Sequence, residues 1–214
     1  MLLLAVNSAT TSTGIALLEN GKIIAEKNWL SNKDEMEKLL PAIQQILKQA
    51  KAGFDDLDGL FVVAGPGSFS GLRIGVTIVN ALAFTHKLPV FSANTFQLLL
   101  AKVPEPKRPK TAIIISAGGK NIAVFWKGKI KQMEIEKFAA WQQKNKILTV
   151  GSDLKAEQKK QLQKQSRTLK FEKLKSFGEA VLSLLQQKLP GQKMVKPIYL
   201  QKPNITKSKK KEFV

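Results

Sequence analysis

The sequence predicts an α/β protein of two consecutive units, each a mixed sheet with flanking helices. Three observations carry this. The first hundred residues read as three strands followed by alternating helices and strands. A Pro-rich basic stretch, Val103-Pro104-Glu105-Pro106-Lys107-Arg108-Pro109-Lys110, then interrupts the chain, and three more strand-like runs follow it. The charge balance changes at the same place. Residues 1–100 hold 8 Lys and Arg against 8 Asp and Glu, whereas residues 101–214 hold 27 against 8.

In chain order, Leu2 to Val6 reads as the first strand. Thr13 to Leu18 and Lys22 to Lys27 flank Glu19-Asn20-Gly21, and Asn-Gly between two such runs is a strong hairpin signal. Asp34 to Lys51 carries Met36, Leu39, Leu40, Ile43, Ile46 and Leu47 at helical spacing, with Asp34 as N-cap and Gly53 as stop. Pro41 inside the pattern predicts a start or kink near it. Leu60 to Val63 is a short buried strand and Val76 to Phe84 a helix ending near His86. Pro89-Val90-Phe91 is a strand, and Asn94-Thr95 caps a helix through Ala101. In the second half Thr111 to Ser116, Asn121 to Trp126 and Lys129 to Ile135 read as strands. Ile147 to Val150 is a short strand, Leu154 to Gln165 a lysine-rich helix, Phe177 to Leu189 an amphipathic helix and Pro197 to Leu200 an extended segment. The domains expected are 1–102, 103–200, and a flexible Lys-rich tail, 201–214.

Composition narrows the function. Cysteine is absent, so disulfide, thiolate and zinc–thiolate chemistry are excluded. The apolar start Met1-Leu2-Leu3-Leu4-Ala5-Val6 lacks a basic flank and reads as a strand rather than a signal peptide. No apolar run approaches the roughly 20 residues of a membrane span, so no membrane is expected and cytoplasm is the default. The excess charge of +19 lies wholly in the second half, which suggests that this half faces a polyanion such as RNA.

The chain is organised around Ala64-Gly65-Pro66-Gly67-Ser68-Phe69-Ser70-Gly71-Leu72-Arg73-Ile74-Gly75, between the Leu60 strand and the following helix. Four glycines here imply either a tight βα turn that lets the helix pack close on its own sheet or the close approach of another surface, and Ser68 and Ser70 can cap the helix start. The stretch lacks the Lys-Ser/Thr of a P-loop and the spacing of G-x-G-x-x-G. Helical spacing sets Gly71, Gly75 and Val79 on one face, a bare face suited to helices of a partner. Other chemistry is sparse. The lone His86 ends a helix, where it reads as capping the last carbonyls or as sitting in solvent, Glu35 and Glu37 read as exposed, and no His pair exists to hold a metal. Trp29, Trp126 and Trp141 read as core or interface residues.

Two sheet units each opening with a hairpin match the actin–hexokinase–Hsp70 architecture, with RNase H-like units. In such ATPases a carboxylate ends the first strand; here the position is Asn7, in Asn7-Ser8-Ala9-Thr10-Thr11-Ser12. Asn supplies no charge for a hard cation, leaving Asn7, Thr10 and Thr11 either as a candidate phosphate cradle or as a polar hairpin whose side chains are satisfied within the chain.

The glycine stretch, with Ala5-Val6-Asn7-Ser8-Ala9-Thr10, Leu39-Leu40-Pro41, Leu88-Pro89-Val90 and Pro197-Ile198-Tyr199-Leu200, resembles the bacterial TsaB (YeaZ) family over nearly the whole chain. The family motif G-P-G-S-F-T-G-L-R-I-G is present with Ser70 for Thr. The resemblance implies two actin-like subdomains and a non-catalytic scaffold without metal or cofactor. It further implies a TsaD-like catalytic subunit and a TsaE-like ATPase as partners in adding threonylcarbamoyl to adenosine 37 of tRNAs that read ANN codons. The first two helices would pair with the partner, or with a second copy when the chain is free. The implied interface is Gly65 to Arg73, Gly75, Val79, Met36 and Leu40. The family's Asp-Thr-Ser-Thr, its His-Ser-Glu before Leu-Leu-Pro and its Asp-Ala-Arg-Met are here Asn7-Ser8-Ala9-Thr10, Glu35-Met36-Glu37 and Ser116-Ala117-Gly118-Gly119. A small ATPase-, kinase- or metalloprotease-like enzyme and a stand-alone RNA-binding protein are the alternatives.

Overall fold

The computed structural model describes residues 1–200, so the expected tail lies outside the described residues. Strands β1 (Leu2–Asn7), β2 (Ser12–Glu19), β3 (Lys22–Leu30), β4 (Gly59–Val63) and β5 (Val90–Ala93) form one sheet in the order β3-β2-β1-β4-β5. β1 to β3 are antiparallel, and β4 and β5 run parallel to β1. Strands β6 (Thr111–Ser116), β7 (Asn121–Trp126), β8 (Lys129–Glu134), β9 (Thr149–Asp153) and β10 (Lys170–Phe171) form the second, β10-β9-β6-β7-β8, with the same alternation of pairing. The helices are α1 (Glu35–Gln49), α2 (Phe69–His86) and α3 (Thr95–Lys102) in the first half. In the second they are α4 (Phe138–Lys144), α5 (Ala156–Gln165) and α6 (Phe177–Leu185). Each half therefore runs β-β-β-α-β-α-β-α, and the two are actin-like subdomains of mixed sheet and helices.

The local reasons are legible. Asn20 and Gly21 take φ of 48° and 78°, the left-handed pair that closes a tight hairpin. β4 is buried along its whole length, as an apolar strand covered on both faces must be. Asn94 accepts from Gln97 N at 2.9 Å while Gln97 returns a bond to Asn94 N, a capping box that starts α3.

Several expectations are corrected. α1 begins at Glu35 and carries Pro41 inside it; its buried stripe of Leu39, Ala42, Ile43, Ile46 and Leu47 holds it on the sheet on both sides of the proline. Asp34 sits at its N-cap but pairs with Lys38 at 2.6 Å instead of capping, and the helix ends at Gln49 rather than Gly53. α2 begins earlier than the Val76 run, at Phe69 within the glycine stretch, and there the expected Ser68 cap holds, accepting from Gly71 N. α4 and β10 are additional elements. His86 pairs with Asp55 at 2.9 Å and stacks on Phe54 instead of capping α2, whose end is closed by Lys87 at φ 54°.

The break near residue 103 separates the strands but not the packing. α3 straddles the two cores: Leu98 and Ala101 join that of the first sheet, while Phe96, Leu99 and the adjoining Val103 pack with Ile113, Ile115 and Ala123 of the second. α6 crosses over, and its Phe177, Ala180, Val181 and Leu184 join the core of the first. α4 and α5 cover the other face of the second sheet around Phe138, Ile147, Leu154 and Leu162.

Candidate functional site

The glycine stretch is a junction inside the chain. Ala64 N bonds Ala93 O at 2.9 Å, Thr95 N bonds Gly65 O at 2.8 Å, Ser68 N bonds Ala9 O at 2.8 Å, and Ile198 N bonds Ala64 O at 2.7 Å. Three distant segments thus meet at one turn, and main-chain bonds to main chain leave no room for side chains. A Cβ at Gly67 would run into Ala9 O, and one at Gly75 into Ser8 Oγ, whose hydroxyl donates to Gly71 O at 2.7 Å. The last described segment acts as a strap. Gln192 bridges Val90 at the edge of β5, and Asn80 on α2 makes two bonds of 2.9 Å with the Val195 backbone. Tyr199 Oη then accepts from Arg73 Nε at 3.1 Å.

This geometry revises the bare-face reading. Gly71, Leu72, Gly75 and Val79 are buried against this chain's own β1 and its loop, and Gly65 and Pro66 are buried in the junction. They are not presented to a partner, because the close approach they permit is already used internally. Gly67, Ser68, Phe69, Ser70 and Arg73 remain exposed, as do Met36 and Leu40 on α1. The Arg73 guanidinium lies 3.9 Å from the Phe69 ring centroid, and Phe69 tilts against Tyr199 at 5.4 Å, forming an exposed cation–aromatic cluster. Farther along the outer face of α2, Phe84 is 83% exposed, and on neighbouring α1 Met36 is 78% exposed. Phe84 was not singled out in the sequence, although its spacing from Arg73, Thr77 and Ala81 would have marked it.

The Asn7 loop is also committed. Asn7 Nδ2 donates to Thr10 Oγ1 at 2.7 Å and to Ser12 O at 3.1 Å, and Asn7 Oδ1 accepts from Ala9 N at 3.1 Å. Thr11 N donates to both oxygens of Asp153, at 2.9 and 3.1 Å, and Thr11 Oγ1 donates to Oδ1. The geometry fits the polar hairpin rather than the phosphate cradle: Asn7 and Thr10 bond within the loop, and the Asp153 carboxylate holds the Thr11 donors. Burial pushes the Asp153 carboxyl above its ordinary range, against the Thr11 bonds and the Lys102 and Lys159 charges. Burial likewise pushes the Lys102 ammonium down, against the charges of Glu26 and Asp153. Glu26 accepts from Ser176 Oγ at 3.0 Å, Phe177 N at 2.9 Å and Gly178 N at 3.1 Å, and so caps α6 across the two halves.

Glu35, read as exposed, is 1% exposed and accepts from Thr13 Oγ1 at 3.2 Å and from Ser31 Oγ. The sequence missed Glu26, Glu35, Lys102 and Asp153 as structural charges. Among the described residues no three His, Asp or Glu side chains converge to hold a metal. No helix among them is long and apolar enough to cross a membrane.

Residues 29–181 match the family model described as TsaD, tRNA N6-adenosine threonylcarbamoyltransferase. The tRNA threonylcarbamoyladenosine biosynthesis protein TsaB of Bacillus subtilis (strain 168) is 33% identical over 101 residues, 47% of this chain and 44% of that protein. TsaB of Escherichia coli (strain K12) is 29% identical over 126 residues, 59% of this chain and 54% of that one. The chain thus spans about half the length of the curated relatives it matches. A crystal structure of an uncharacterized protein with similarity to peptidase YEAZ from Pseudomonas aeruginosa superposes with a TM-score of 0.65 at 18% identity. It covers 94% of this chain and 99% of that one, and shares the fold.

Proposed function

The chain belongs to the TsaD family of tRNA N6-adenosine threonylcarbamoyltransferases, on its TsaB (YeaZ) branch, and from that premise we propose that it is the non-catalytic scaffold of a tRNA-modifying complex. In this reading it binds a TsaD-like catalytic subunit of related fold, with a TsaE-like ATPase, in the addition of threonylcarbamoyl to adenosine 37. The tRNA is engaged through the complex. A second copy takes the partner's position when the chain is free.

The observation that carries the reading is the outer surface of α1 and α2. Met36, Leu40, Phe69 and Phe84 are large apolar side chains exposed on two neighbouring helices, with Arg73 and Tyr199 beside them. Aromatic, Met and Arg side chains of this kind are enriched where proteins dock. The inward side supports the same reading: the Ser68 amide bonds Ala9 O, and the Asn7 and Thr11 side chains are spent within the chain.

The test is co-purification of tagged full-length chain with the TsaD-like subunit, using Met36→Asp and Phe84→Asp. Both side chains are exposed, so the melting temperature stays within a few degrees of the parent while capture is lost. Capture retained by the double variant rejects the assignment.

A further inference from the structure

The second half carries a cationic surface on the side of its sheet covered by α4 and α5. On α5, Lys160 and Lys164 lie one turn apart, and Arg167 continues the stripe just past the helix end. Lys155 sits at the N-cap, where the helix dipole disfavours a cation and where a side-chain acceptor is the usual residue. Like charges one turn apart also oppose helix formation. Lys155 and the Lys160–Lys164 pair therefore work against α5, whereas Glu157 in its first turn and Lys164 in its last suit the helix dipole, and Glu157 is the single acid along it. From the same face of the sheet rise Lys129 and Lys131, which pair in register with Trp126 and Val124 of the core beneath α5. None of these six cations has an ion-pair partner among the described residues. Of the acids nearby, Glu134 is held by Lys137 at 2.9 Å.

We propose that this face, centred on Lys155, Lys160, Lys164 and Arg167, is a direct docking surface for the phosphate backbone of RNA. The step rests on the tRNA-modifying reading for the identity of the RNA, and on charge complementarity for the surface. A run of cations without an ion-pair partner among the described residues gains when an external polyanion neutralises it. An anionic membrane fits less well. A membrane-surface helix needs large apolar residues beside its lysines, and the one large apolar side chain of α5, Leu162, is wholly buried.

The test uses the full chain and a fluorescent tRNA transcript, with affinity measured by anisotropy across a salt series. Neutralising Lys155, Lys160, Lys164 and Arg167 together to Gln removes four contacts. The slope of log affinity against log salt then becomes shallower by about 3, and binding weakens at least about tenfold at moderate salt. The charge-matched variant with Lys207, Lys209, Lys210 and Lys211 changed to Gln keeps the parental slope. A slope unchanged by the α5 substitutions overturns the proposal, whatever the tail substitutions do. So does a parent chain that ignores tRNA at low salt, including one that instead binds phosphatidylserine vesicles. Capture of the TsaD-like subunit, measured on the same α5 variant, stays intact; its loss on the Met36 and Phe84 face reports separately on the scaffold reading.

Discussion

The Thr11 amide donates to both carboxylate oxygens of Asp153, at 2.9 and 3.1 Å, and joins the hairpin loop of the first sheet to the end of β9 in the second. The contact spans 142 residues of sequence. It ties the two halves directly together.

Because burial raises the Asp153 carboxyl, the native state holds its proton more tightly than the unfolded chain does. Its ionisation therefore opposes folding, and stability is lost as pH rises from the ordinary value of 3.8 toward the raised one. Asp153→Asn keeps an oxygen for the Thr11 amide and removes that penalty. Its stability relative to the parent should rise through this window in urea melts at stepped pH, and a flat difference would refute the assignment. Asp153→Ala leaves the Thr11 donors unpaired and costs about 1–3 kcal/mol.

Glu26 should matter more than its position on a strand surface suggests. Glu26→Ala removes the acceptor for Ser176, Phe177 and Gly178 at the start of α6, and is expected to cost about 2 kcal/mol. Glu26→Gln should lie between Ala and the parent. Equal urea midpoints for all three would show that α6 is held by its apolar face alone.

Gly75→Ala probes the contact of α2 with the β1 loop. The added methyl meets Ser8, so a loss of about 1–3 kcal/mol is expected. Ser8→Gly combined with Gly75→Ala should recover at least half of it. Simple additivity in the double-mutant cycle would mean that the two positions do not touch.

Lys87 ends α2 at φ 54° and ψ 37°, a left-handed conformation that a side chain disfavours. Lys87→Gly should stabilise the chain by about 0.5–1 kcal/mol in the same melts. A destabilised variant would show that the lysine stem does something there beyond closing the helix.

Much of the architecture was readable because local signals agreed with tertiary packing. The Asn20-Gly21 turn, the apolar run of β4 and the capping box at Asn94 each state their structure within a few residues. α4 could not be read this way. It is seven residues long, and its N-cap is Lys137 with no side-chain bond, so it has no start signal. β9 extends through Gly151-Ser152-Asp153, residues of turn composition that are held by pairing with β6. The early start of α2 is a tertiary effect, since Gly71 and Gly75 are poor helix residues that close contact with Ser8 makes necessary. The site was read less well for a related reason. A glycine face says that something approaches closely, but not whether it is another molecule or the same chain. Glu35 and Asp153 were obscured because burial of a carboxylate depends on hydroxyls and amides supplied from far along the sequence.

The crossing of α3 and α6 between the two cores bears on how the protein comes into being. As the chain leaves the ribosome, the first sheet is complete in strands once Ala93 has emerged. One of its faces then stays bare until Phe177, Val181 and Leu184 arrive. The amino-terminal half must therefore wait through most of synthesis with apolar surface open to water, a stage at which it is most vulnerable to association and proteolysis. α6, the last helix among the described residues, completes the core of the first sheet.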